Sequence, residues 1–241
     1  MDDHATRIKA LIARQPAGPN GGTGMGGFLQ RLCAVATKAL GVSGAGVSLM
    51  AEDGVRRMAT ASDPATERLE EVQFVLGEGP CIDAFQARRP VLIPDLTDGA
   101  MHRWPVYTPT VHDSGVRAVF AFPLQIGASR LGVLDLFRTR PGPLTGEELA
   151  QALVFADVAV DTLLDGQERA GPDATADGLA EAMDGRAELF QAQGMVMIQL
   201  GIPLAEAMAR LRAYAFAEGR PLAAVARDVV ARRLRFDKDQ P

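Results

Sequence analysis

The sequence has few of the residues that most metal and redox sites are built from. Its 241 residues include two cysteines and three histidines. Cys33 and Cys81 are too isolated to form a metal-ligand spacing or a disulfide framework, which fits a reducing compartment. His102 and His112 have Asp95 as a candidate companion, but nothing supplies a further spaced ligand, so no metal site is read and no cofactor is named. His112, Asp113 and Ser114 offer the residue types of a catalytic triad. Side chains adjacent in sequence diverge, however, and cannot place nucleophile, base and orienter in one line. The turn Gly77-Glu78-Gly79 lacks the Lys-Ser/Thr that follows a nucleotide triphosphatase loop. The reading is therefore not an enzyme. No run approaches the ~18 uninterrupted apolar residues of a membrane span, and the N-terminus has no basic-plus-apolar opening of the secretory kind. The expectation is a cytoplasmic protein without membrane contact.

A hydrophobic content of 47% with 23% charged residues describes folded, soluble material sufficient for one or two domains. The net charge of −5 is unevenly spread: residues 186–241 carry +3, which leaves −8 for residues 1–185. An acidic front and a basic back suit different partners.

Residues 186–234 read as three helical segments, divided at Gly201-Ile202-Pro203 and Gly219-Arg220-Pro221, because Gly ends a helix cheaply and Pro is accepted at the start of the next. Leu204, Ala207, Met208, Leu211 and Ala215 share one face of the middle segment, as Leu222, Val225, Ala226 and Val229 do in the last. In the first, Leu179, Ala182, Leu189, Val196 and Leu200 share a heptad seam with Arg186 and Gln193, polar positions of the kind that set register and partner number. Across residues 186–235, eight arginines face four acids, a net of +4. Guanidinium groups fork onto phosphate and stack on unpaired bases. The same arginines would also serve as an ordinary solvated helix face.

The Arg186 opening, the run Gln191-Ala192-Gln193-Gly194-Met195-Val196-Met197, Glu206-Ala207 through Leu211-Arg212-Ala213-Tyr214-Ala215, and Arg220-Pro221-Leu222 with Val225-Ala226 together resemble the ANTAR family of RNA-binding transcription antiterminators. The resemblance implies an all-α, three-helix module that binds paired RNA hairpins in a nascent transcript, usually as a dimer, and prevents a terminator from forming. It implies Arg186, Gln193, Gly194, Arg212, Tyr214 and Arg220 as the contact set, with cations for phosphate, Tyr214 for stacking or for structure, and Gly194 for close approach of the RNA backbone. Many family members carry Lys where Gln193 stands, which removes one candidate phosphate contact.

Ahead of this module the periodicities predict a helix over 28–40, a half-buried strand over 42–51, a turn at Glu52-Asp53-Gly54, a returning strand to Ser62, and a short helical turn toward Leu69. Further on they predict a helix opening at Pro80, a strand at 91–93, a helix within 106–114, strands over 117–126 and 131–138 around a turn at 127–130, and a last helix capped by Thr145. That order gives an antiparallel sheet with packed helices, an α+β domain.

The pieces Gly77-Glu78-Gly79-Pro80-Cys81, Val91-Leu92-Ile93-Pro94-Asp95, Arg103-Trp104-Pro105, Gly115-Val116-Arg117 with Phe122-Pro123-Leu124, and Leu131-Gly132-Val133-Leu134 resemble the GAF domain. The resemblance implies a small-molecule pocket between the sheet and its covering loops, for which Phe74, Cys81, Phe85, Trp104, Phe120 and Phe122 are lining candidates or else core. Cys81, near a helix N-terminus, is either a redox-sensitive thiol or a small buried hydrophobe.

The expected organisation is a mobile tail over 1–24, a GAF sensor over 25–167, a linker over 168–176 and an ANTAR domain over 177–236, with Gly166 and Pro172 interrupting any continuous helix between the two domains. The function this implies is a signal-responsive RNA-binding antitermination regulator acting as a homodimer. The alternative is a ligand-binding or protein-interaction module whose C-terminal helices only dimerise.

Overall fold

The computed structural model describes residues 2–16, 24–50, 56–169 and 188–237. The expected turn at 52–54, Pro172, Leu179, Ala182 and Arg186 lie outside them. The described elements are α1 (Asp2–Arg14), α2 (Met25–Ala39), β1 (Gly44–Met50), β2 (Arg56–Ala61), α3 (Pro64–Leu76), α4 (Pro80–Ala87), β3 (Val91–Ile93), α5 (Ala100–Arg103), α6 (Tyr107–Asp113), β4 (Ala118–Ile126), β5 (Ser129–Arg138), α7 (Gly146–Arg169), α8 over 188–200, α9 (Leu204–Ala217) and α10 (Leu222–Val230). They fall into two units, one holding the sheet with α1 to α7 apart from Val75–Gly77, and the other holding α8 to α10 together with those three residues.

The first unit is the expected α+β domain, a five-stranded antiparallel sheet in the order β2-β1-β5-β4-β3. Strand alternation sorts its residues. Ala45 and Val47 of β1, Phe120, Phe122 and Leu124 of β4, and Leu134 and Leu136 of β5 enter a hydrophobic core with Leu29, Leu32 and Ala36 of α2 and Phe155 and Ala159 of α7. Residues of opposite parity look toward the other layer. A side chain added at Gly44 would meet Thr66, and one added at Gly46 would come within 2.5 Å of the Glu70 carboxylate. Two glycines two apart thus open a lane on β1, and Thr66 and Glu70, four apart on α3, occupy it. β1 is therefore buried on both faces, a correction to the half-buried strand expected, because α3 runs for thirteen residues instead of one short turn.

The tail expected over 1–24 is, over 2–14, a helix whose Ile8 and Ile12 are 4% and 0% exposed in the same core. The apolar spacing of Ile8 and Ile12 outweighs the Pro/Gly run behind it. α7 begins as expected: Glu148 N–H donates to Thr145 Oγ1 at 3.2 Å, and Thr145 N–H donates to Glu148 Oε2 at 2.7 Å, a reciprocal cap. It does not break at Gly166 but continues to Arg169, since one glycine weakens a helix by only about 1 kcal/mol. β4 and β5 approach until Ile126 faces Ser129, so the turn is Gly127-Ala128 alone.

In the second unit Gly201 and Gly219 end α8 and α9 at φ +66° and +59°, and Pro203 and Pro221 are the N-caps of α9 and α10. Leu189, Ala192, Val196, Ala207, Leu211, Ala215, Leu222, Val225, Ala226 and Val229 are buried as their spacing requires, but Leu204 is 49% exposed.

A Cβ at Gly132 of β5 would lie 2.2 Å from the Ser48 carbonyl oxygen, whereas one at Gly146 would meet nothing. Gly132→Ala is expected to lower the unfolding free energy by about 1–3 kcal/mol through overpacking. Gly146→Ala should leave it unchanged or raise it by up to about 1 kcal/mol. Urea midpoints of the two variants check both.

Candidate functional sites

Two sites emerge, one in each unit. In the first, the Gly77-Glu78-Gly79-Pro80-Cys81 turn is a positioning device. Gly77 and Gly79 adopt φ +71° and +139°, and Pro80 starts α4. One Glu78 oxygen, Oε1, accepts the N–H groups of Val106 and Tyr107, both at 2.8 Å, which fixes the start of α6. Gln73 of α3 accepts the Cys81 N–H at 2.8 Å and donates to Asp135 Oδ2 at 3.4 Å. Ser48 donates to Glu70 Oε2 at 2.8 Å. The outcome is a buried polar cluster of Ser48, Glu70, Gln73, Cys81, Tyr107 and Asp135, drawn from β1, α3, α4, α6 and β5.

Burial pushes the Asp135 carboxyl well above the ordinary carboxylate range, and the neighbouring Glu70 adds to the shift. The Tyr107 phenol is pushed up by burial first and then by Asp135 and Glu70. Two carboxyls this close in a dry site do not both ionise unless a cation joins them.

Of the six pocket candidates, Cys81 belongs to this cluster. Trp104, 2% exposed, meets Tyr107 edge to face at 6.1 Å and carries the Arg103 guanidinium 4.7 Å from its ring centre. Arg103 in turn pairs with Asp83 of α4 at 2.6 Å. Phe85 lies buried on α4 under Arg130, and Phe74 is half-buried on α3. Phe120 and Phe122 are corrected: both belong to the core with α2 and α7, since even-numbered positions of β4 point away from α3 and α4. Sequence reasoning missed Glu70, Tyr107 and Asp135. The available signal was Asp135, a single acid in the apolar run Leu131–Phe137, where a charge in a central strand is out of place.

In the second unit the described arginines are Arg210 and Arg212 on α9, Arg227 on α10, and Arg220, Arg232, Arg233 and Arg235 in the segments that flank α10. Arg210, Arg227, Arg232 and Arg235 are exposed and make no ion pair among the described residues. Arg220 donates to Asp228 Oδ2 at 2.5 Å, and Arg233 reaches Asp228 Oδ1 at 2.8 Å, so one carboxylate holds two guanidiniums. Hydrogen bonds from Arg220 and then Arg233 hold the Asp228 carboxyl below its ordinary range, against a smaller opposing effect of burial.

The other expected contacts are sorted by the same geometry. Gln193 is 7% exposed and donates its amide N–H to the Leu204 carbonyl oxygen at 2.8 Å. This corrects its assignment as a direct RNA contact, because the amide is spent joining α8 to α9. Any long side chain with a terminal N–H donor can make that bond, so the Lys-to-Gln departure removes less than the loss of a surface cation would. Tyr214 is half-buried with Phe236 edge-on at 5.4 Å, and the Phe236 N–H donates to Gln199 at 2.9 Å. Of its two expected roles, stacking or structure, this geometry fits the structural one, a ring that anchors the returning C-terminal segment. Arg212 is half-buried on α9. Gly194 has open space where a Cβ would stand, so packing within the described chain does not require a glycine there.

Since the folded-state pKa of Asp228 is depressed, its contribution to stability is present above the unfolded value of about 3.9 and is lost as pH falls through the lower folded value. Asp228→Asn should lower the melting temperature at neutral pH. It should also flatten the acid decline that begins below about pH 5 in the wild-type chain. Thermal unfolding followed by circular dichroism across that range measures both effects.

A model of the GAF domain matches residues 25–163, and a model of the ANTAR domain matches residues 177–230. The search of curated proteins finds no match. Among solved structures, the N-acylhomoserine lactone dependent LuxR-family transcription factor CepR2 from Burkholderia cenocepacia aligns with a TM-score of 0.50 at 18% identity, over 69% of this chain and 96% of that one. The GAF domain of an Acinetobacter phosphoenolpyruvate-protein phosphotransferase aligns at 0.49 and 14%, over 69% and 94%. Free methionine-R-sulfoxide reductase from Neisseria meningitidis aligns at 0.48 and 17%, over 70% and 90%. GAF and ANTAR are sensory and regulatory domains and not catalytic families, although the last of these neighbours is an enzyme. No helix among the described residues is long and apolar enough to cross a membrane. The chain belongs to the GAF family, carries an ANTAR domain behind its sensory unit, and is a signal-sensing regulator of the ANTAR type.

Proposed function

We propose that this regulator acts in the cytoplasm on RNA: its GAF unit detects a cue, and its ANTAR helices bind paired hairpins in a nascent transcript and permit read-through. The observation that carries this reading is the set of exposed arginines at Arg210, Arg227, Arg232 and Arg235, inside or just beyond the segment that matches ANTAR. Had every guanidinium been tied to a carboxylate of its own chain, no cationic surface would be left for phosphate. Among the described residues Arg220 and Arg233 are so tied, by the single acid Asp228. The working contact set is therefore Arg210, Arg227, Arg232 and Arg235, with Arg186, Arg212 and Gly194 retained as expected contacts and Arg220 acting through its hold on α10.

The same unit supports assembly with a second copy. Phe190 and Ile198 are 44% and 75% exposed, eight apart on α8 with Gly194 between them. That spacing makes one stripe, apolar and open. The seam of Leu189, Gln193, Val196 and Leu200 expected to meet a partner is buried in the single chain instead. A homodimer that pairs these stripes would present two arginine surfaces to two hairpins, which suits a tandem target.

Gel-shift titration of the full chain against a tandem stem-loop RNA over a salt series tests the reading. Combining Arg227→Ala, Arg232→Ala and Arg235→Ala should weaken binding and reduce the salt slope by about 2, at roughly 0.7–0.9 per phosphate contact. An unchanged slope would remove the interface, and absence of any RNA binding would leave the interaction-module alternative. Ile198→Glu is expected to shift the protein toward monomer in sedimentation and to weaken binding to tandem hairpins more than to a single one.

A further inference from the structure

On the side of the sheet facing α3 and α4, an oxygen of Glu70, an oxygen of Asp135 and the Cys81 sulfur lie within 4.8 Å of one another. The three residues are 1%, 0% and 4% exposed. The side chains that act most strongly on Asp135 are Glu70, Cys81 and Gln73, and none of these three is a cation. A second observation comes from a different element. Tyr107 of α6 is fully buried, its hydroxyl makes no hydrogen bond among the described residues, and the ionisable groups that act on it are Asp135, Glu70 and Cys81. Asp135 itself lies within hydrogen-bonding reach of Glu70, Cys81 and Gln73. A buried phenol O–H left unsatisfied beside a thiol and two carboxylates completes a donor set that lacks a centre.

We propose that Glu70, Cys81 and Asp135 bind one divalent first-row transition ion, of the zinc or ferrous class, with the Tyr107 hydroxyl directed at it. A thiolate among the ligands selects against magnesium and calcium, which take oxygen donors, and favours zinc or iron. Metal–sulfur and metal–oxygen bonds of about 2.3 and 2.1 Å hold neighbouring ligand atoms roughly 3–4 Å apart, which a grouping within 4.8 Å accommodates. Two carboxylates and a thiolate would place three negative charges in a dry site, so without an ion these groups keep protons. A dication replaces the protons and releases them to solvent. The surroundings are already built to orient the ligands. Ser48 holds Glu70, Gln73 holds both the Cys81 N–H and the Asp135 carboxylate, and Glu78 fixes the start of the helix that carries Tyr107.

The test uses the full chain stripped by chelation and titrated with Co²⁺ as a spectroscopic substitute for zinc. One equivalent should produce a thiolate-to-metal charge-transfer absorption, withstand excess Mg²⁺, be displaced by Zn²⁺, and release protons into weak buffer. Cys81 is the sole thiol left in Cys33→Ala, because the chain has two cysteines, and this variant should keep the absorption. Cys81→Ser should lose it. Glu70→Gln and Asp135→Asn should each weaken Zn²⁺ binding by at least the 10–100-fold that outer-sphere changes commonly cost. An unaltered spectrum in wild type, or a Co²⁺ band without proton release, overturns the proposal, as does a band that survives Cys81→Ser. The readout does not involve RNA, so its failure is distinct from failure of the antitermination reading.

Discussion

The sensory unit depends on one constraint: a five-stranded sheet must satisfy two faces with different contents. On one face the alternation delivers Ala45, Val47, Phe120, Phe122, Leu134 and Leu136 into an apolar core with α1, α2 and α7. On the other it delivers Gly44, Gly46, Ser48 and Asp135, which an oily layer would not tolerate. The glycines admit α3 close to the backbone, and α3 brings Thr66, Glu70 and Gln73 into the space where side chains of β1 would have stood. Polar atoms on a buried sheet face require partners, and the partners come from α3, α4 and α6. The apolar face supplies the stability that lets the polar face exist.

Control of position runs through short hydrogen-bonded links and not through bulk packing. Glu78 spends one oxygen on the first N–H groups of α6, and Gln73 bridges α4 to β5. Asp63 does similar work at the start of α3, where it accepts the N–H groups of Ala65 and Thr66 at 2.9 and 3.0 Å. Burial pushes its carboxyl up, yet bonds from the Thr66 hydroxyl, the Thr66 N–H, Ser62 and Ala65 outweigh this and hold it below the ordinary range. These links set the helices that surround Asp135 to within hydrogen-bond tolerance, which a site of fixed geometry requires.

The C-terminal unit divides its arginines between fold and surface. Asp228 sits among the last residues of α10 and draws in Arg220 from before the helix and Arg233 from after it, so one acid closes the helix upon its flanks. Arg232 takes φ +58° as the chain reverses, and Phe236 then returns to Tyr214 and Gln199. Cations following the C-terminus of α10 also oppose its dipole. Exposed guanidiniums remain beside this closure, and they are what a phosphate backbone would meet.

The sequence by itself determined the strands of the sheet, most of the helices and their order. Period-two and period-3.6 patterning, Gly and Pro punctuation and the Thr145 cap are local chemistry, legible because neighbours in sequence are neighbours in space. It also carried both domain resemblances and the uneven charge. Tertiary structure alone decided which face each strand residue serves, which arginines are spent on Asp228, that Gln193 is buried and Tyr214 packs against Phe236, and that residues 2–14 dock through Ile8 and Ile12. It alone brought Glu70, Cys81, Tyr107 and Asp135 together. Strand parity was readable along each strand, but the identity of the layer on either side was not. A cluster assembled from separate elements leaves no spacing in the chain, because its geometry is set by contacts between residues far apart in sequence.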